Sequence, residues 1–164
     1  MKKIISLLLL FACALGMASC SLVSAYDSSE LISVLENKGY EITDVDQTLQ
    51  EGIVGHIYAS KADTGDELYY VYCSDVDTAT SLYEYVKAAH KVRMAELNLE
   101  IEKIEYALNK AEGLSVAEKG DYYEKYVVKT EELELVSSYT YGRAVNIVWY
   151  GTKDAIKDIR KNQG

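Results

Sequence analysis

From residue 77 to residue 112 the chain runs for thirty-six positions without a glycine, and the whole protein contains no proline. Within that run Met94, Leu97, Ile101, Ile104 and Leu108 recur at spacings of three and four, which is one apolar seam along a single helix. Such a helix reaches about 54 Å, whereas a seven-residue strand spans only about 24 Å. A sheet of ordinary strands is too short to bury it, so the seam demands a second cover. The following segment can supply one. Gly113 permits a reversal, Ser115 with Glu118 is a capping-box pattern, and Val116, Tyr123 and Val127 make a returning helical face. Gly120 and the β-branched pair Val127 and Val128 also admit a strand, so residues 115–129 stand between helix and strand, and the uncovered seam favours the helix.

The flanking segments read as short elements. Asp27 with Glu30 opens a helix carrying Leu31, Ile32, Val34 and Leu35, which Gly39 ends. Residues 40–45 have strand character. Two alternating runs, 53–60 and 68–74, flank a polar turn and form the clearest hairpin. A second hairpin is predicted over 133–141 and 144–150, turning at Gly142 and Arg143, and Thr152 caps a terminal helix with Ala155, Ile156 and Ile159. The stretches VYCSDVDTATSL (71–82) and VWYGTKDAIKDI (148–159) share an order of strand end, cap and helix. The expected fold is therefore α+β: an antiparallel sheet of four to five strands backed by helices, with a long helix or helical hairpin inserted between two strand-strand-helix units.

The amino end has its own logic. Lys2 and Lys3 precede an apolar run from Ile4 to Met17. At about fourteen residues this run is short of the roughly twenty that span a bilayer, and it reads as the h-region of an export signal. Met17, Ala18, Ser19 and Cys20 resemble the lipobox of bacterial lipoproteins, with Met17 where leucine is usual. The resemblance covers residues 1–20. It implies a signal peptide over 1–19, diacylation of Cys20, a lipidated tether over 20–27, a single domain over 28–164, and a bacterial envelope protein held to a membrane on its extracytoplasmic side. Small residues at Val23-Ser24-Ala25 offer the alternative of cleavage after Ala25 and secretion.

Removal of residues 1–19 takes two lysines and no acid, moving the net charge from −9 to −11. Such a surface repels phosphate backbones and anionic headgroups, which argues against nucleic acid as a partner and leaves the lipid as the membrane contact. The expected partners are that membrane and a protein or glycan ligand.

Candidate sites are few. His56 and His90 are the only histidines, and Cys73 is the one thiol besides Cys13 and Cys20. No CxxC or HxxxH spacing seeds a metal site, and the pairs Asp44/Asp46, Asp63/Asp66 and Asp75/Asp77 suit turns and caps. No cofactor motif is present. An enzyme would have to be a hydrolase or thiol-active enzyme built on His56 or Cys73 with a carboxylate. The stronger expectation is a non-enzymatic binding module. The chain holds fifteen tyrosines against one tryptophan, and if Tyr69, Val71 and Cys73 face the helices, Tyr58, Tyr70, Tyr72 and Trp149 form a ligand-binding face opposite, with His56 beside them.

Overall fold

The computed structural model describes residues 26–44, 51–110 and 113–160; the lipobox, Cys20 and Ala25 lie outside them. The chain runs α1 (Ser28–Asn37), β1 (Glu41–Asp44), β2 (Ile53–Lys61), β3 (Asp66–Cys73), α2 (Val76–Asn109), α3 (Val116–Ser137), β4 (Tyr139–Ala144), β5 (Ile147–Thr152) and α4 (Lys153–Asp158). All five strands pair antiparallel in the order β1-β2-β3-β5-β4. The fold is the expected α+β arrangement, with the helical hairpin α2–α3 inserted between two strand-strand-helix units.

The caps are those the sequence marks. Asp27 accepts the Glu30 amide at 2.8 Å and Asp75 that of Thr78 at 2.7 Å. Ser115 and Glu118 complete a reciprocal capping box, and Thr152 accepts the Ala155 amide at 3.4 Å. Among the described residues no helix is long and apolar enough to cross a membrane.

Helices lie on both faces of the sheet, and this is where the structure departs from the expectation. On one face α1 and α4 bring Leu31, Leu35, Ala155, Ile156 and Ile159 against Ile57, Leu68, Tyr70 and Trp149. On the other the first turns of α2 place Ala79, Leu82 and Tyr83 over Val71, Cys73 and Val148. The two units therefore send their helices to opposite faces. Residue 26 also belongs to the domain, not to a tether: Tyr26 is buried, its N–H donates to the Tyr70 hydroxyl at 3.0 Å, and its carbonyl accepts from the Tyr72 hydroxyl at 3.3 Å.

A β-bulge explains the misjudged face. Ile53 sits opposite Cys73, but Gly55 sits opposite Tyr72, so two steps on β2 match one on β3. Val54 is the extra residue and points to solvent. Ile53 thus joins the cluster under α2 while Ile57 and Ala59, of the same parity, join the cluster under α1 and α4. Simple alternation through the bulge puts the strand the wrong way round.

The second hairpin also shifts. Residues 133–137, expected as strand, continue α3, because α3 packs along α2 and that packing overrides β propensity; Val136 comes to line a cleft with Val86 and His90 of α2. The turn falls at Val145 and Asn146, not at Gly142 and Arg143. Asn146 fixes it by donating from Nδ2 to the Cys73 carbonyl at 2.9 Å, and the Cys73 amide donates back to the Asn146 carbonyl at 2.7 Å. Gly142 is needed within β4 because the Trp149 ring lies on it: an added Cβ would come within 2.3 Å of that ring.

The seam on α2 is covered by α3, which settles residues 116–137 as helix. Leu97 is fully buried and Met94, Ile101, Ile104 and Leu108 are half-buried. α3 itself contributes no fully buried side chain. Polar links reinforce so thin a layer: Arg93 pairs with Glu132, Lys129 bridges Glu100 at 2.9 Å and Glu132 at 3.2 Å, and the Tyr126 hydroxyl donates to Glu105 at 3.2 Å.

Two substitutions test the hairpin geometry. Gly142→Ala should destabilise by about 1–3 kcal/mol, the usual cost of overpacking, read as a lowered denaturant midpoint. Val145 adopts φ 50°, a conformation that a β-branched residue occupies only under strain. Val145→Asn should therefore raise the melting temperature by about 2–4 °C; an unchanged or lower value would show no strain at the turn.

Candidate functional site

The α2 face of the sheet carries a row of rings. Side chains alternate along each strand, and the register sets Tyr58 opposite Tyr69, Tyr69 opposite Tyr150, and Tyr150 opposite Tyr141. The Tyr58 and Tyr69 ring centroids are 4.7 Å apart, those of Tyr69 and Tyr150 4.7 Å apart and nearly parallel, and those of Tyr150 and Tyr141 6.5 Å apart. His56 stacks on Tyr69 at 5.9 Å. The row spans four strands and every member is half-buried.

At its β4 end the row runs into a cleft of about 310 Å³ between α2, the last turn of α3 and strands β4 and β5. Val86, His90 and Arg93 come from α2, Val136 from α3, and Tyr139, Tyr141 and Tyr150 from the sheet. His90 stacks on Tyr139 at 5.6 Å and meets Tyr141 edge-on at 5.1 Å. Burial lowers its pKa, which keeps the imidazole neutral. The guanidinium of Arg93 is engaged by Glu132, whose carboxyl is in turn held below the usual range by that hydrogen bond. The cleft is therefore electrically quiet. Its exception is the Tyr141 hydroxyl, which is buried and has no hydrogen-bond partner among the described residues.

The four residues expected to form one binding face are divided. Tyr70, Tyr72 and Trp149 lie under α1 and α4; Tyr70 is 0% exposed and Trp149 is buried against it at 6.2 Å. Only Tyr58 stays on the opposite face, where its hydroxyl donates to Glu67 at 3.0 Å. Tyr69, assigned to the core from the sequence, belongs with Tyr58 in the row. Tyr139, Tyr141 and Tyr150 were not picked out as site residues, although alternation along the second hairpin could have grouped them.

Cys73 is buried among Val71, Ala79 and Val148, and desolvation raises its pKa with help from Asp75. A protonated, inaccessible thiol is the opposite of an activated nucleophile. Of the acidic pairs, Asp75 caps α2, and Asp66 accepts from Thr64 at 2.6 Å and from Thr152 at 2.8 Å. Among the described residues no group of three or more His, Cys, Asp or Glu side chains is placed to hold a metal ion. The chain matches no protein-family model, no curated protein and no solved structure, so the cleft is interpreted from its own chemistry.

Burial raises the phenol pKa of Tyr58, Tyr69, Tyr141 and Tyr150 above 10, and that of Tyr70 to about 12. Unfolded phenols ionise near 10, so between that value and the folded ones the native state holds more protons. The stability this supplies is complete below about pH 10 and is lost as pH rises through the folded values. Denaturant midpoints should be level from pH 8 to about pH 9.5 and fall steeply toward pH 12; a flat profile would contradict buried phenols.

Proposed function

We propose that the protein is an exported, lipid-anchored bacterial envelope protein without catalytic activity, and that its aromatic cleft captures an aromatic side chain of a partner protein. The observation that carries the binding reading is a cavity of about 310 Å³ lined by His90, Tyr139, Tyr141 and Tyr150, with the rings of His90, Tyr139 and Tyr141 packed on one another. Ligand sites are concave, mostly apolar and furnished with few polar groups. This volume, at the lower end of that class, suits one side chain and not an extended ligand. A sugar would bury several hydroxyls against Val86, Ala89 and Val136, and an unmatched hydroxyl costs about 1–3 kcal/mol. An indole instead supplies a broad face to stack and a single N–H to leave at the rim.

Export and anchoring rest on Met17-Ala18-Ser19-Cys20 and on the acidic mature surface. With Tyr26 fastened to Tyr70 and Tyr72, only residues 21–25 separate a lipidated Cys20 from the domain. Six residue steps reach about 20 Å at most, which keeps the domain close to the bilayer. Tyr26 is on the α1/α4 face, whereas the cleft is on the other, so the anchor leaves the cleft accessible.

Two experiments test the parts separately. Fed an alkyne fatty acid in a bacterium that matures lipoproteins, the protein should take up label and partition with membranes, and Cys20→Ala should abolish both. An unlabelled chain beginning at Tyr26 would overturn the anchor. For the cleft, N-acetyltryptophanamide titrated into the protein should shift amide resonances of Val86, Val136 and residues 139–141, and Tyr139→Ala, which removes a lining ring, should weaken that response several-fold without loss of fold. Shifts there with methyl glucoside and not with the indole would overturn the protein-ligand reading, and no response to either would overturn the site.

A further inference from the structure

Beyond Val76 in its first turn, four large apolar side chains of α2 stand in solvent: Tyr85 is 70% exposed, Val92 58%, Leu99 50% and Tyr106 66%. They are spaced seven residues apart. On an α-helix that spacing draws one slowly drifting line, here about 32 Å long, and the exposed Ala88 and Ala95 lie along it. At 100° per residue the line falls on the side of α2 opposite Leu97, Ile101 and Ile104, which meet α3, and opposite Ala79, which meets the sheet. No described element of the chain covers it. A globular helix needs one apolar stripe, and α2 carries two.

We infer that the second stripe is covered by a second copy of this chain, the two α2 helices pairing parallel and in register as a short coiled coil. In heptad terms Tyr85, Val92, Leu99 and Tyr106 take position a, with Ala88 and Ala95 at d. The flanking g and e positions then decide orientation, because a g residue meets the e residue five positions on in the partner helix. Lys91 meets Glu96 of the second copy, while Glu105 accepts from Tyr126 of α3 and Lys110 caps the end of α2, so that pair lies outside the seam. The two remaining pairs, Glu84 with Ala89 and Asn98 with Lys103, oppose no like charges. By symmetry the dimer has two attractive contacts across its flanks. Antiparallel registers that bring the line onto itself set Glu84 against Glu105, or Glu96 against its own copy.

The area is sufficient for a modest dimer. A tyrosine buries about 150–250 Å² when fully covered; with Val92 and Leu99 the four side chains offer on the order of 450 Å² per copy. The alanines and the stems of the flanking lysines and glutamates bring the pair past the roughly 1,000 Å² that marks a specific interface. One d position works against it: Glu102 meets Glu102 of the second copy inside the seam. That layer limits affinity, and its removal is the sharpest test because it should create tighter association and not merely destroy it.

The experiment is sedimentation of the processed chain from residue 20, carrying Cys20→Ala so that no lipid drives association. The expected result is a concentration-dependent monomer–dimer equilibrium. Leu99→Glu should yield monomer with an unchanged melting temperature, and Val92→Glu should do the same. Glu102→Leu should tighten the dimer at least tenfold. Lys91→Glu and Glu96→Lys should each weaken it, and an equimolar mixture of those two variants should restore it as a heterodimer. A chain that stays monomeric even with Glu102→Leu would overturn the pairing and leave a different protein as the cover. A dimer indifferent to Leu99→Glu would place the interface elsewhere, and failure of the charge-swapped mixture to associate would overturn the parallel register.

Discussion

The register of β3 between β2 and β5 governs the rest of the molecule. It commits Leu68, Tyr70 and Tyr72 to the face under α1 and α4, and leaves Tyr69 beside Tyr58 and Tyr150 on the face that α2 only partly covers. One side of the strand is closed by two short helices that fit it. The other is crossed by a helix of thirty-four residues, about 51 Å long, against strands of about half that length. A straight helix leaving one end of the strand cannot blanket the face beneath it. The aromatic row and the cleft are what that incomplete cover leaves half-open.

Tyrosine suits such a boundary. On the closed face its hydroxyls are turned to structural use, since Tyr70 and Tyr72 hold the backbone of Tyr26 and Tyr40 donates to Asp158 at 3.2 Å. On the partly covered face the rings stack on one another across strands, gaining contact where no helix lies above them. A phenylalanine core would leave the first face without its polar ties and the second with an insoluble surface. The single tryptophan is placed where only glycine permits it, on Gly142; farther along β5, Gly151 approaches β3 so closely that an added Cβ would strike the Glu67 carbonyl at 2.2 Å.

Much of this was legible before any coordinates. The Gly-free run and the 3-4 spacing from Met94 to Leu108 required a helix with a separate cover, and Ser115 with Glu118 located that cover's first turn. Asp27, Asp75 and Thr152 were visible as caps because capping is local chemistry. What the residues did not disclose is long-range. Nothing near Val54 announces a bulge, and without it Ile53 and Ile57 must share a face, which sets Tyr58 and His56 beside Tyr70 in error; Tyr70 and Trp149 are buried because α1 and α4 cover the face expected to be open. Likewise Leu133–Ser137 has strand propensity, and only the packing of α3 along α2 makes it helical. The cleft fell between these two errors, because its walls come from three segments that are distant in sequence.

The division of the tyrosines between a closed and a partly open face is the claim on which both the cleft and the anchor geometry depend. Tyrosine nitration of the folded protein, mapped by mass spectrometry at low extents of reaction, tests it directly. Tyr123, well exposed and outside the α2 stripe, should react first, Tyr58 and Tyr69 more slowly, and Tyr70 only on unfolding. Nitration of Tyr70 as fast as that of Tyr58 would contradict the account.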